Sequence, residues 1–431
     1  VMAWCYAPDN FHKAMTIINT AGWDTDCNAA NVGAVMGLVV GLDGICKDYD
    51  YRGPVADRVV VPTSEGTYGV TSCLEIAKLV ARIGSKIMGY NPVSEKEKYT
   101  FSFGSQEGFV PHNLGKYENT TISIKCNDGF IDACASEPSG GAIAVGVSHE
   151  YTLRSEFPQG GYGVTSTPQA YSGNTIEFDV ENVSAEKISA RIFSGTDRIH
   201  QNTNEPLICY SEGVEELFAP GERRKIKWVI DTPDDIPLSY MGIALVNQGT
   251  LRIHSANIYG ESNISIVNDT IPAREERQVN GWICSANIIR WRNIISSCDG
   301  PAVLVTGNQY WRNASAEAEI FLRGSDFAGV IFDYKGLNNF SAVGIGHGKL
   351  TVYRIYFGKK EVLYTQAAPD LNNESYHANV SCKDKKLFVK MDDFAEFSLD
   401  VPYVTGGAMG TVVENGSIIL RSLKIAANMV R

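Results

Sequence analysis

One stretch decides how this chain is organised, and it reads Gly22-Trp-Asp-Thr-Asp-Cys-Asn-Ala-Ala-Asn-Val-Gly-Ala-Val-Met-Gly-Leu-Val-Val-Gly41. It places two carboxylates, Asp24 and Asp26, at the start of a predicted helix. Glycines recur at every fourth position from Gly33 to Gly41, so one side of that helix is bare backbone. Because Gly inside a helix costs roughly 1 kcal/mol relative to Ala, we expect another segment to pack closely against this side.

Two interpretations of the carboxylates are open. In a bent loop ahead of a helix, the oxygens of Asp24 and Asp26 can converge on one point and bind a hard cation such as Mg²⁺, Mn²⁺ or Ca²⁺. Alternatively, Asp24 caps the helix and Asp26 interacts with the helix dipole in the first turn. Spacing alone favours the capping interpretation, because capping aspartates are common.

Segments that follow one another in the same order resemble the ADP-ribosylglycohydrolase family. The Gly-x-Asp-Thr-Asp loop at residues 22–26, which opens the Gly-rich helix, resembles the family's last metal-binding motif. Residues 9–19 resemble the helix that leads into that loop, and residues 53–63 and 71–78 resemble the closing segments of one branch of the family. The resemblance implies that residues 1–91 are the C-terminal part of an ADP-ribosylglycohydrolase-like helical domain.

The resemblance also implies an activity and a set of site residues. The chain would belong to a Mg²⁺-dependent hydrolase of an ADP-ribosyl or related glycosidic bond, with a small-molecule or protein substrate. Asp24 and Asp26 would be catalytic residues and ligands of a pair of Mg²⁺ ions. The family usually has Thr at the next position, which is Cys27 here, and a thiol is a poor Mg²⁺ ligand. The implied substrate-binding residues are Gly22, Trp23, Thr25 and Asn28.

The start of the sequence leads to a further expectation. Val1 lies inside a helical pattern, and the family's other acidic metal motif belongs far upstream of the Gly-x-Asp-Thr-Asp loop. We therefore expect this sequence to be the C-terminal piece of a longer protein, whose missing part supplies the remaining ligands and most of the substrate cleft. On this expectation, the 431-residue chain alone has little or no hydrolytic activity.

Length and composition indicate a globular chain of two or three domains. Hydrophobic residues make up 44% and charged residues 20% of the 431 positions, which is ordinary for such a protein. The net charge of −11 argues against nucleic acid as a partner, because phosphate binding needs a field of Lys and Arg. We read no apolar run near the roughly 20 residues that span a bilayer, so we expect no membrane partner.

Cysteine and histidine usage excludes some chemistry. The 10 cysteines are irregularly spaced, with no C-x-x-C pair, which favours free buried thiols and a reducing compartment such as the cytoplasm. The 7 histidines are dispersed and form no Ser/His/Asp pattern around a Gly-x-Ser-x-Gly motif. His12 precedes the Asp loop, and we expect it to be a surface or hydrogen-bonded histidine rather than a ligand.

From Tyr99 onward the sequence alternates between apolar and polar residues, which predicts short strands. Residues 92–262 resemble the galactose-binding-like β-sandwiches that are appended to carbohydrate-active enzymes. Residues 263–431 resemble a concanavalin-like or laminin-G-like jelly roll. The predicted fold is therefore an all-α fragment followed by two all-β sandwiches. The strands are predicted at 121–125, 175–180, 188–193, 225–230, 251–254, 317–322, 328–333, 341–345, 349–354, 386–390 and 412–420.

Aromatic residues in the last region suggest a glycan as a possible partner. Trp311 and Tyr334 are candidates for stacking on sugar rings, since aromatic faces suit the C–H faces of sugars; the alternative is that they belong to the core. Two classes of function remain open. The first is the Mg²⁺-dependent hydrolase with accessory β domains, and the second is a non-catalytic carbohydrate- or protein-binding tail with a remnant helical domain.

Overall fold

The structure is a computed structural model of the chain. It describes residues 1–22, 24–61, 63–91, 97–114, 122–148, 166–199, 206–234, 238–267, 273–275, 278–279, 281–289, 294–403 and 405–430. Contacts divide the chain into two compact units, Val1–Asp57 and Arg58–Arg431, which we call the helical unit and the β unit.

The helical unit contains three α-helices: α1 (Met2–Tyr6), α2 (Phe11–Asn19) and α3 (Asp26–Ile45). The α2 helix begins at an N-cap, where the side chain of Asn10 accepts a hydrogen bond from the backbone N–H of Lys13; Asn is a preferred residue at this position. The three helices share a small core, which consists of Ala3, Ala7, Phe11, Ala14, Val32 and Met36.

Helix α3 is long and only partly covered. Within the described residues, it is the one helix long and apolar enough to cross a membrane by length and composition, a test that core helices of soluble proteins also pass. The expectation that no apolar run approaches the length of a bilayer span does not hold for this helix, in which Gly and Asn interrupt the apolar residues. Leu38 is 89% exposed and Val39 is 61% exposed. The helix breaks at Gly41, which has a φ of 69° and a ψ of −179°.

The β unit begins with a short hairpin, β1 (Arg58–Val60) and β2 (Val70–Ser72), followed by the helix α4 (Cys73–Ile87). The side chain of Ser72 caps α4 by accepting a hydrogen bond from the N–H of Glu75. The remaining strands are β3 (Phe109–His112), β4 (Ile122–Asn127), β5 (Phe130–Ala135), β6 (Gly141–Gly146), β7 (Ser172–Asn182), β8 (Ile188–Ile199), β9 (Pro206–Glu212), β10 (Glu216–Phe218), β11 (Arg223–Val229), β12 (Tyr240–Leu245), β13 (Gly249–Val267), β14 (Ala273–Glu275), β15 (Gln278–Val279), β16 (Ile283–Cys284), β17 (Asn287–Ile289), β18 (Ile294–Thr306), β19 (Trp311–Arg323), β20 (Phe327–Tyr334), β21 (Asn339–Gly346), β22 (Lys349–Tyr356), β23 (Lys359–Ala367), β24 (Ser375–Lys383), β25 (Lys386–Met391), β26 (Ala395–Asp400) and β27 (Ala408–Met429).

Every strand predicted from alternation has a counterpart among these strands. The first group of strands forms two antiparallel sheets. One has the order β10-β8-β12-β6-β3, with β9 also paired to β8. In the other, β13 lies between β5 and β7, with β4 and β11 outside them. Apolar side chains from both sheets, such as Ile143 and Phe178, meet in one core.

The later strands are organised around β27, which pairs with four others. Its first part pairs with β18 and β20, and its second part pairs with β19 and with the end of β13. The two parts meet at Asn415 and Gly416, where φ is 44° and 157°. The positive φ values therefore lie where the pairing of β27 changes partners, and all of these strands belong to one closed barrel. The remaining strands follow as β20-β21-β22-β23 and as β19-β24-β25-β26.

The chain is thus a small helical part followed by a mostly β part. The finer likenesses to galactose-binding, concanavalin-like and laminin-G-like sandwiches stay predictions, as do the domain boundaries at residues 91 and 262. Strand β13 runs through the second of these boundaries, and one apolar cluster contains residues from both sides of it. Nine cysteines of the described residues are free thiols. Four of them are exposed, so the prediction that the free thiols are buried holds for only part of the set.

Candidate functional site

The predicted Asp loop is a short turn between α2 and α3. Helix α2 ends at Asn19, and Gly22 follows with a φ of 80°, a left-handed conformation that favours glycine. Thr25 is the N-cap residue of α3 by position, but its side chain makes no capping hydrogen bond. Asp26 begins the helix. The capping role that spacing favoured for Asp24 therefore does not describe this loop.

The two carboxylates interact with each other. Asp24 and Asp26 are both exposed, and their side chains lie within hydrogen-bonding reach. Oδ1 of Asp26 also accepts a 2.6 Å hydrogen bond from the N–H of Cys27. That backbone bond, and then the bond to Asp24, lower the pKa of Asp26 below its usual value. A hydrogen bond between the two carboxyl groups requires a proton on one of them. When both are ionised they repel each other, and a divalent cation between them would remove that repulsion.

Cys27 fits a metal site poorly. Its side chain is exposed and hydrogen-bonds to the carboxylate of Asp26, and this contact raises the pKa of the thiol. Since only the thiolate is a good metal ligand, a protonated Cys27 supplies none. No group of three or more His, Cys, Asp or Glu side chains in the described part of the chain is arranged to hold a metal ion.

The side chains of the loop provide some of the oxygen ligands that one hard cation needs. Asp24 and Asp26 supply two neighbouring carboxylates, and Mg²⁺ is often held by one or two carboxylates with water in the remaining positions. A second ion would need further oxygen ligands beyond these two carboxylates. Of the predicted substrate-binding residues, Gly22 and Asn28 are exposed and Thr25 is half-buried. Trp23 lies outside the described residues.

The glycine-lined side of α3 is only partly used for packing. A Cβ atom at Gly33 would lie 3.3 Å from Sδ of Met15, so α2 does pack closely there. At Gly37 the nearest such atom belongs to Ile45, in the same helix, and at Gly41 there is open space. The expected close approach is therefore confirmed at one glycine, while Gly41 serves the break in the helix.

Aromatic residues near the start of α2 were not singled out from the sequence. Nδ1 of His12 lies 2.9 Å from the hydroxyl of Tyr51, and the ring of His12 stacks on Tyr49 at a centroid distance of 5.6 Å. Phe11 contacts Tyr51 edge-on at 5.1 Å. His12 is thus a hydrogen-bonded histidine, as expected. The sequence did not predict the contacts of Tyr49 and Tyr51 with His12, because both tyrosines lie 37 or more positions after it.

The structure does not bear out the expectation that Trp311 and Tyr334 stack on sugars. Trp311 is 0% exposed and packs against Tyr171 at a ring-centroid distance of 4.9 Å. Tyr334 is 1% exposed, and its hydroxyl donates a hydrogen bond to the backbone carbonyl of Ser64. Both rings are core residues, the alternative named from the sequence, so neither presents a face to a ligand.

A buried acid of the β unit was also missed. Glu107 is 1% exposed, and its Oε2 accepts hydrogen bonds from the N–H groups of Thr100 at 2.7 Å and Phe101 at 2.6 Å. Its Oε1 has no partner within the described residues. Burial raises the pKa of Glu107 to about 7. The acid lines a cavity of about 20 Å³ together with Lys98 and Glu75, which is room for roughly one water.

Comparisons with known proteins give one family match and several weak structural likenesses. A search of curated protein sequences finds no match. Among solved structures, the chain is similar to a carbohydrate-binding module from Bacillus subtilis, with 16% identity over 30% of this chain and 84% of that chain, and a TM-score of 0.28. It is similar to a Caenorhabditis elegans galectin, with 10% identity over 32% and 98% and a TM-score of 0.25. It is also similar to a Xenopus laevis galectin, with 15% identity over 29% and 99% and a TM-score of 0.24.

Likenesses of this size carry no conclusion about a ligand. The family comparison is more informative, because a model described as ADP-ribosylglycohydrolase matches residues 1–75. The match includes the Asp loop and continues through the β1–β2 hairpin into α4.

Proposed function

We propose that the helical unit carries part of the site of a Mg²⁺-dependent hydrolase that cleaves an ADP-ribosyl or related glycosidic bond. The observation that carries the proposal is the family match over residues 1–75, which includes two exposed, neighbouring carboxylates at the start of α3. In this proposal Asp24 and Asp26 hold Mg²⁺ through their oxygens. A bound Mg²⁺ ion would supply charge stabilisation and a more acidic water for attack on the bond.

The residues of this chain contribute binding and orientation. Gly22 permits the left-handed turn that brings both carboxylates to the same end of the helix. The lowered pKa of Asp26 keeps that carboxylate ionised at neutral pH, as a cation ligand must be. Thr25, whose hydroxyl is not used as a cap, and Asn28 are positioned to contact the substrate in this proposal. The β unit would act as an accessory module.

Metal binding tests the proposal separately from activity. We would titrate Mn²⁺, as a spectroscopic substitute for Mg²⁺, into the 431-residue chain and follow free Mn²⁺ by electron paramagnetic resonance. We expect Asp24→Asn and Asp26→Asn each to weaken binding at least about tenfold, or about 1.4 kcal/mol. Asp43→Asn, an exposed aspartate of the same helix, is the matched control and should bind as the wild type does.

Activity provides the second arm. In the longest natural form of the protein, we expect Mg²⁺-dependent release of ADP-ribose from ADP-ribosylated peptides, lost in Asp24→Asn and Asp26→Asn. Absence of Mn²⁺ binding in every form, with no release of ADP-ribose, would reject the hydrolase. The remaining alternative would then be a non-catalytic carbohydrate- or protein-binding tail with a remnant helical domain.

A further inference from the structure

The β unit contains a pocket of about 300 Å³ beside strand β18. The pairing of β18 with β27 shifts register between Ser297 and Pro301, so the chain bulges out of the sheet there. The pocket lies between this bulge, the neighbouring strand β17 and the loop that carries Leu337. We call it the β18 pocket. Ligand pockets typically begin at roughly this volume.

Hydrogen bonds within the chain hold the bulge in place. The hydroxyl of Ser297 donates to the carbonyl of Gly300 at 2.7 Å, and the N–H of Gly300 donates to Oδ1 of Asn415 at 3.0 Å. Gly300 has a φ of 68°, which favours glycine at this turn. Asp299 is therefore presented on a loop that is fixed from both sides, and little conformational entropy would be lost when a ligand contacts it.

The polar groups that remain available in the described lining include a carboxylate and an amide, beside the exposed thiol of Cys298. Neither the side chain of Asp299 nor that of Asn287 makes a hydrogen bond or ion pair with another described residue, and both are exposed at the pocket. The hydroxyl of Ser285, by contrast, is engaged by the N–H of Val303 at 2.9 Å. Leu337, which is 43% exposed, and the edge of the buried Phe340 supply apolar surface.

This lining selects one chemical class of ligand. The described residues around the pocket include one carboxylate and no Lys, Arg or His, which disfavours phosphates and other anions. A carboxylate can accept from two neighbouring hydroxyls, and an amide can both donate and accept. Apolar surface beside them suits the C–H groups of a ring. We propose that the β18 pocket binds a neutral sugar ring, held by hydrogen bonds to Asp299 and Asn287.

The proposal does not depend on the metal site of the helical unit, so the two can fail separately. We would titrate the full chain with glucose, galactose, mannose and fructose, using isothermal calorimetry and saturation-transfer NMR. Inorganic phosphate and putrescine serve as anionic and cationic probes. A single small ring in a pocket of this size should bind with a Kd on the order of 1 mM, near the weak end of the affinity scale.

Paired variants decide the location. We expect Asp299→Ala and Asn287→Ala each to weaken binding of the best sugar at least about tenfold. Asp393→Ala changes another exposed aspartate of the β unit and should leave binding unchanged. Circular dichroism confirms that each variant folds. The proposal is overturned if no sugar binds at 20 mM, if both pocket variants bind as the wild type does, or if putrescine or phosphate binds more tightly than every sugar.

Discussion

Leu38 in the helical unit is 89% exposed, whereas Trp311 in the β unit is 0% exposed. The same difference in side-chain exposure holds between the two units as a whole. The helical unit buries six apolar residues in its core, and its candidate carboxylates stand on an exposed turn. The β unit buries large aromatic rings and even the acid Glu107. Burial is extensive in the β unit, whereas the helical unit leaves its candidate carboxylates and part of its apolar surface exposed.

The largest effect is expected at the core of the β unit. Trp311→Ala removes a fully buried ring that packs on Tyr171, and the free energy of unfolding should fall by about 3–5 kcal/mol. The measurement is urea denaturation followed by circular dichroism. Phe357→Ala is the control, because Phe357 is 74% exposed and its loss should change stability by less than about 0.5 kcal/mol. Equal effects of the two variants would contradict the assignment of Trp311 to the core.

An intermediate effect is expected at Glu107, and its sign depends on pH. Burial raises the folded-state pKa of Glu107 to about 7, above the ordinary value of about 4.3. The folded state therefore holds the proton more tightly, and the stability from this group is present at acid pH and lost as pH rises through 7. Glu107→Gln keeps an acceptor for the two N–H groups without the charge.

Thermal unfolding at pH 5 and pH 8 measures this difference. We expect the wild type to lose about 1–3 kcal/mol of stability relative to Glu107→Gln between these two values. Glu137→Gln, at an exposed turn residue, is the control and should follow the wild type. A constant difference between Glu107→Gln and the wild type across this range would show that the carboxyl of Glu107 does not titrate there.

The smallest effect is expected on the open side of the helical unit. Leu38→Ala removes a side chain that is 89% exposed, so the stability of the unit should change by less than about 0.5 kcal/mol. Met36→Ala, two positions earlier, removes a side chain that is 1% exposed and should cost about 2–5 kcal/mol. Denaturation followed by helical circular dichroism distinguishes them. A large cost for Leu38→Ala would mean that another surface covers this part of α3.

The sequence was informative where interacting residues are neighbours along the chain. Asp24 and Asp26 are separated by one residue, so a single loop brings their side chains together, and alternation located the strands because it is a local property. The surroundings of Glu107 assemble from distant positions. Lys98, for example, donates a hydrogen bond to Gln169, which is 71 residues away. No local pattern encodes such a contact.

Alternation in the sequence also failed to distinguish buried from exposed aromatic residues, for a physical reason. Every residue of β20 is buried, so both faces of that strand are covered, and the position of Tyr334 in the pattern says nothing about solvent. Strand β19 does alternate in exposure, but Trp311 occupies a buried position at its start. The β18 pocket depends on a register shift in which residues 298–300 of β18 stand opposite the single residue Asn415 of β27, and periodicity does not reveal such a shift.

The late position of β27 has a consequence for biosynthesis. This 22-residue strand is translated after β13, β18, β19 and β20, all of which pair with it. A nascent chain that has left the ribosome as far as β26 therefore exposes the unpaired edges of all four strands, and such edges are prone to associate with other chains. Chaperone binding to ribosome-stalled chains should be strongest just before Ala408–Met429 emerges.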